Sequence, residues 1–106
     1  MERRVSVPKL LGKKSFMEDL LTESGREMVL MSREFKTVLL NGNSRFMIQF
    51  LEALNAVDLD PNTRFAIFKT LVRCFDGRSE EDVLAFMMKQ TGPNIILREL
   101  AIPPSR

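Results

Sequence analysis

Asp60-Pro61-Asn62-Thr63-Arg64-Phe65-Ala66-Ile67-Phe68-Lys69-Thr70-Leu71-Val72-Arg73-Cys74-Phe75-Asp76-Gly77 decides the fold class of this 106-residue chain. Asp60 has the side chain of a helix N-cap, and Pro61 fits the first helical position, where its missing N–H costs nothing. Phe65, Phe68, Leu71, Val72 and Phe75 then recur at helical spacing, with Lys69 and Arg73 opposite. Asp76-Gly77 ends the run. At 100° per residue, Phe65, Ile67, Phe68, Leu71, Val72, Cys74 and Phe75 cover about half the circumference, wider than the stripe of an ordinary surface helix. This segment predicts a central helix over about 61–75.

Working outward, the neighbouring segments carry similar signals. Arg45, Gln49, Glu52 and Asn55 alone interrupt the apolar residues of a helix expected at about 44–55, which carries Phe46, Met47, Phe50, Leu51 and Leu54. Before it, Ser24-Gly25-Arg26-Glu27 reads as a capping box opening a long helix to about Leu40, with Met28, Met31, Phe35, Val38 and Leu39 on one face. Asn41-Gly42-Asn43 supplies residues that accept the left-handed turn of a helix end. Ser15-Phe16-Met17-Glu18 reads as another capping box, for a short helix over about 16–22 that buries Phe16, Leu20 and Leu21.

On the C-terminal side, Ser79 with Glu80, Glu81 and Asp82 opens a helix to about Gln90, because carboxylates suit the positive end of the helix dipole. It buries Val83, Leu84 and Met87. A final short helix at about 94–101 packs Ile95, Ile96 and Leu100. No segment alternates apolar and polar residues at period two, so no strand is expected. The fold class is all-α: a compact bundle of five or six antiparallel helices forming one domain over 15–106, behind a flexible basic arm at 1–14.

Charge separates that arm from the body. Arg3, Arg4, Lys9, Lys13 and Lys14 stand against Glu2, a net of +4, which leaves −2 on the rest of a chain whose formal charge is +2. No apolar run is long enough to span a membrane, and the first residues lack the apolar core of a signal peptide. One Cys excludes an internal disulfide framework and fits a reducing compartment. The expected location is intracellular, cytoplasmic or nuclear.

The chain has no His, Tyr or Trp, and a single Cys, Cys74, against eight Phe and seven Met. Without His it lacks the most-used general base, the usual partner of a Cys or Ser nucleophile and the commonest metal ligand. Cys74 lies on the apolar face of its helix and reads as a buried structural thiol. Asp58-Leu59-Asp60-Pro61-Asn62 starts like a calcium loop, but Thr63 replaces the turn Gly and Lys69 the closing Glu. Gly12 and Gly77 stand alone, without the strand and Gly-rich turn of a phosphate loop. No enzymatic activity, cofactor or metal is expected.

Binding is the expected role. Val29, Leu30, Leu40, Phe86 and Met88 fit worst into a single core stripe and are the candidate partner-binding residues. Through them the chain would bind a protein partner or itself, as an adaptor, regulatory or assembly subunit. In the arm, Arg3-Arg4-Val5-Ser6-Val7-Pro8 carries two Arg ahead of a Ser, the pattern preferred by basophilic kinases. Arg3 and Pro8 around Ser6 resemble a phosphopeptide ligand of the 14-3-3 family, which implies a phosphorylation site at Ser6. The alternative is a small nucleic-acid-associated protein, with Arg3 and Arg4 contacting phosphate. Against it, the arm has no aromatic residue for stacking on bases.

Overall fold

A computed structural model describes residues 14–92 and 94–104, and every regular element among them is a helix. In chain order these are α1 (Lys14–Asp19), α2 (Glu23–Leu30), α3 (Arg33–Leu40), α4 (Ser44–Asn55), α5 (Pro61–Arg73), α6 (Glu80–Thr91) and α7 (Ile95–Leu100). The central helices begin where their caps predict. Asn43, Asp60, Ser79 and Asn94 each turn a side-chain oxygen onto amides of the first turn of α4, α5, α6 and α7. At α5 the Thr63 amide donates to Asp60 Oδ1 at 2.8 Å, and this bond holds the Asp60 carboxyl below its ordinary value. Helix α5 closes at Arg73 with Cys74 as its cap, two residues short of the expected end.

Three boundaries in the N-terminal third differ from the sequence reading. Ser15 is already inside α1, so it is not the cap of that helix. The helix also stops early. Leu20 and Leu21 donate to the carbonyls of Met17 and Glu18, both at 3.1 Å, a tight three-residue turn that ends the α-helical ladder. The cap of α2 is Thr22 rather than Ser24. Its backbone is extended (φ −112°, ψ 155°), and its hydroxyl accepts from the Gly25 amide at 3.1 Å.

The expected long helix over 24–40 is two helices, and this split raises the count among the described residues to seven. Ser32 is the cause. Its backbone leaves the helical region (φ −67°, ψ 153°), and its Oγ accepts from the Phe35 amide at 3.2 Å, capping α3. A Ser hydroxyl offers the backbone an alternative to the helical ladder, and here that alternative is taken. No Gly or Pro marks the break. Its consequence is a reset of helical phase, so that α2 and α3 orient their apolar faces independently.

Helix α2 packs on α1, α3 and α5; α4 packs on α6 and α7; and α5 packs on α6 and α7. The core fills the space between them. Phe46, Met47, Phe50, Leu51 and Leu54 of α4 are buried, as are Ile67, Phe68 and Leu71 of α5, as their spacing predicts. Phe50 is the aromatic hub, with ring centroids 6.3, 5.4 and 6.2 Å from those of Phe16, Phe35 and Phe46. Leu30 is also in this core with no exposed surface. In the other direction, Leu21, Met28 and Ile95 were expected inside and lie exposed. Met28 is displaced by the phase reset of α2. Ile95 loses its place because α7 packs on α4 and α5 with Leu97 and Leu100 facing inward. Every buried side-chain polar atom among the described residues has a hydrogen-bond partner.

Close approach explains Gly25, which is buried within α2. A Cβ there would lie 2.2 Å from the Asp19 carbonyl oxygen and 2.8 Å from Thr22 Oγ1. In a helix with free space, Gly→Ala stabilises by about 0.4–1 kcal/mol. Here the sign reverses, because the obstructing atom is backbone. Gly25→Ala is expected to destabilise the fold by at least ~1 kcal/mol, a fall in Tm of several degrees in a thermal melt. An unchanged or raised Tm would contradict the α1–α2 packing.

Candidate functional site

Leu40 is the last residue of α3 and is followed by Asn41 and by Gly42, whose positive φ of 70° turns the chain toward α4. The side chain of Gln90 lies where a Cβ on Gly42 would point, with Nε2 3.2 Å from it, so this turn is pinned against α6. Ser44 Oγ adds a hydrogen bond to Gln90 Oε1 at 3.1 Å. Leu40 is thereby held at the surface, 47% exposed, beside the turn that joins α5 to α6.

That turn supplies most of an open pocket of about 250 Å³, lined by Leu40, Cys74, Phe75, Asp76, Arg78 and Phe86. The Phe75 and Phe86 rings meet edge to face, with centroids 5.4 Å apart and planes at 63°. The Arg78 guanidinium sits 6.0 Å from the Phe86 ring centroid, within reach of its negative face. The pocket therefore has an aromatic floor, an exposed Leu at its edge and two charged residues at its rim. Its volume lies below the range of small-molecule sites and suits an apolar side chain.

The structure sorts the five candidate partner-binding residues into three groups. Leu40 and Phe86 share the pocket. Val29 and Met88 are half-buried against the core. Leu30 is a correction: it is fully buried, because the break at Ser32 lets α2 turn its last residue inward. Ile48, Ile95 and Ile102 add exposed apolar surface that the sequence reading did not assign. Ile48 and Ile95 lie on helices whose starts were legible, so only the packing of α4 and α7 decides that they face outward, and Ile102 follows the end of α7. Arg3, Arg4 and Ser6 lie outside the described residues.

Cys74 forms the inner wall of the pocket and is only 2% exposed. Its thiol donates to the Leu30 carbonyl at 3.2 Å and lies 3.7 Å from Met31 Sδ. Burial pushes the thiol up to about 11 from an ordinary 9.0, so the nucleophilic thiolate is suppressed. Two effects follow. The native chain should be alkylated by iodoacetamide far more slowly than the denatured chain. Stability should also depend on pH: the folded chain keeps a proton that the unfolded chain releases near 9.0. This group's contribution is intact below that pH and is lost as pH rises toward 11. Denaturant titrations on either side of this window should show the wild type losing more stability than Cys74→Ala. Equal losses would remove the buried-thiol assignment.

Two acidic residues elsewhere are ion-paired, and three cluster at one helix start. Glu80, Glu81 and Asp82 occupy the first turn of α6, where Ser79 Oγ accepts from the Asp82 amide at 3.1 Å and Glu80 pairs with Lys69. Glu27 pairs with Arg73 at 2.8 Å and ties α2 to α5. Among the described residues, no three His, Cys, Asp or Glu side chains converge as a metal centre requires. A second cavity of about 330 Å³ lies between the α4–α5 connection and α7, with Asp58, Arg64 and Glu99 in its walls. It contains none of the five candidate partner-binding residues; Asp58 and Leu59 in its wall belong to the segment that only starts like a calcium loop. No helix among the described residues is long and apolar enough to cross a membrane. No protein-family model matches the chain, and no curated protein or solved structure matches it either.

Proposed function

We propose that this chain is a non-enzymatic protein–protein interaction module, an adaptor, regulatory or assembly subunit of the cell interior. Its helices would form an antiparallel bundle that presents the Leu40 face, and residues 1–14 would serve as a basic arm. One observation carries the reading: a large apolar side chain, 47% exposed, stands at the mouth of an aromatic pocket with Arg78 at the rim. Aromatic residues and Arg are enriched where proteins meet, and single side chains seated in such pockets dominate binding energy. The arm would add a control point, with Ser6 as the phosphorylation site and Arg3 and Arg4 for phosphate contact.

The test replaces Leu40 with a photo-crosslinking phenylalanine analogue in the full chain, with the exposed Arg98 of α7 as the control position. Irradiation in lysate of the source cells should give an adduct from position 40 and none from position 98. No adduct, or equal adducts from both, removes the reading. The nucleic-acid alternative predicts binding that collapses as salt rises, with a slope set by the number of phosphates contacted. Docking through the Leu40 pocket weakens far less across the same titration, since only its rim charges are screened.

A further inference from the structure

We propose that the occupant of the Leu40 pocket is a second copy of this chain, docked about a two-fold axis that seats each Leu40 in the other's pocket. This rests on the reading of that face as an interaction surface and names its partner. The argument is charge complementarity. The rim carries one anion and one cation, Asp76 and Arg78, both exposed. The ion pairs among the described residues are Lys69–Glu80 and Arg73–Glu27, so Asp76 and Arg78 pair neither with each other nor with another described residue.

A half-turn about an axis through the pocket mouth exchanges the two charges between copies. Asp76 of one copy then faces Arg78 of the other, and the reverse contact forms by symmetry. A single surface is thus complementary to itself. The apolar part obeys the same symmetry, since each copy offers one exposed Leu and one cavity of side-chain size. Arg78 is already placed on the Phe86 ring, which lowers the ordering cost of its rim contact.

Sedimentation equilibrium of the full chain over a concentration series tests the proposal. The expected result is a reversible monomer–dimer equilibrium. Asp76→Arg or Arg78→Asp alone should weaken it at least ~10-fold, because symmetry counts each repulsion twice. The double variant D76R/R78D restores the pairing in reversed sense and should return dimerisation to within ~3-fold of wild type. Circular dichroism checks that each variant is folded, as its exposed position implies. Three results overturn the proposal: a chain monomeric throughout, single reversals without effect, or a double variant as weak as the singles. If the chain stays monomeric while the position-40 photoprobe captures a different protein, the second copy is wrong and the interaction reading stands. A monomer with no adduct at position 40 removes both.

Discussion

The Leu30→Asp variant is expected to be unfolded at room temperature, while Leu40→Asp folds like the wild type. Leu30 has no exposed surface, and its carbonyl accepts the Cys74 thiol at the junction of α2 and α5. Truncating such a Leu costs about 2–5 kcal/mol from lost burial and the cavity left behind. Asp adds a carboxylate with no cationic partner, and removing the partner of a buried charge costs about 3–5 kcal/mol in comparable settings. The combined loss of about 5–10 kcal/mol is comparable to the roughly 5–15 kcal/mol that holds a domain of this size together, enough to unfold it over the lower part of that range. Leu40, at 47% exposure, keeps its carboxylate substitute in water. Far-ultraviolet circular dichroism with a urea titration separates the two. A Leu30→Asp variant that folded with unchanged stability would return Leu30 to the surface, where the sequence reading put it.

Phe50→Ala is expected to cost about 3–5 kcal/mol, the range for a fully buried Phe. Phe50 joins three helices through ring contacts to Phe16 of α1, Phe35 of α3 and Phe46 of its own α4. Each aromatic pair contributes about 0.5–1.5 kcal/mol beyond the area it hides, so the upper end of the range applies. Phe65→Ala provides the contrast. Phe65 is half-buried, and among the described residues its one aromatic partner is Phe68, at 6.2 Å between centroids, with the exposed Lys69 ammonium 5.7 Å from its ring centroid. Its loss should cost less than half as much. Urea midpoints should fall in that order with nearly unchanged slopes, since one side chain is a small share of the surface exposed on unfolding. Equal midpoint shifts would mean that Phe50 is not the hub of the core.

The two variants at Leu30 and Leu40 also mark where the sequence misled. On a continuous helix over 24–40, both residues fall off the core stripe, and both read as surplus surface. The Ser32 cap divides that helix, and each half then finds its own orientation. Ser32-Arg33-Glu34-Phe35 did carry a start signal, a Ser before an acidic first turn, but the apolar spacing on either side allowed an unbroken helix. Thr22 was hidden in the same way by Ser24, since both are competent caps and only packing of α2 on α1 selects between them.

The sequence by itself determined the all-helical class, the starts of α4 to α7 and the buried face of α4. These depend on hydrogen bonds and side-chain spacings within about four residues, which the chain specifies locally. Tertiary structure alone decided that Leu30 turns inward, that Ile95 turns outward and that Leu40 meets Phe75 and Phe86. The azimuth of a helix, and the neighbour it receives from a distant part of the chain, follow from how the helices of the described residues fill one volume, and that sum is not contained in any single stretch.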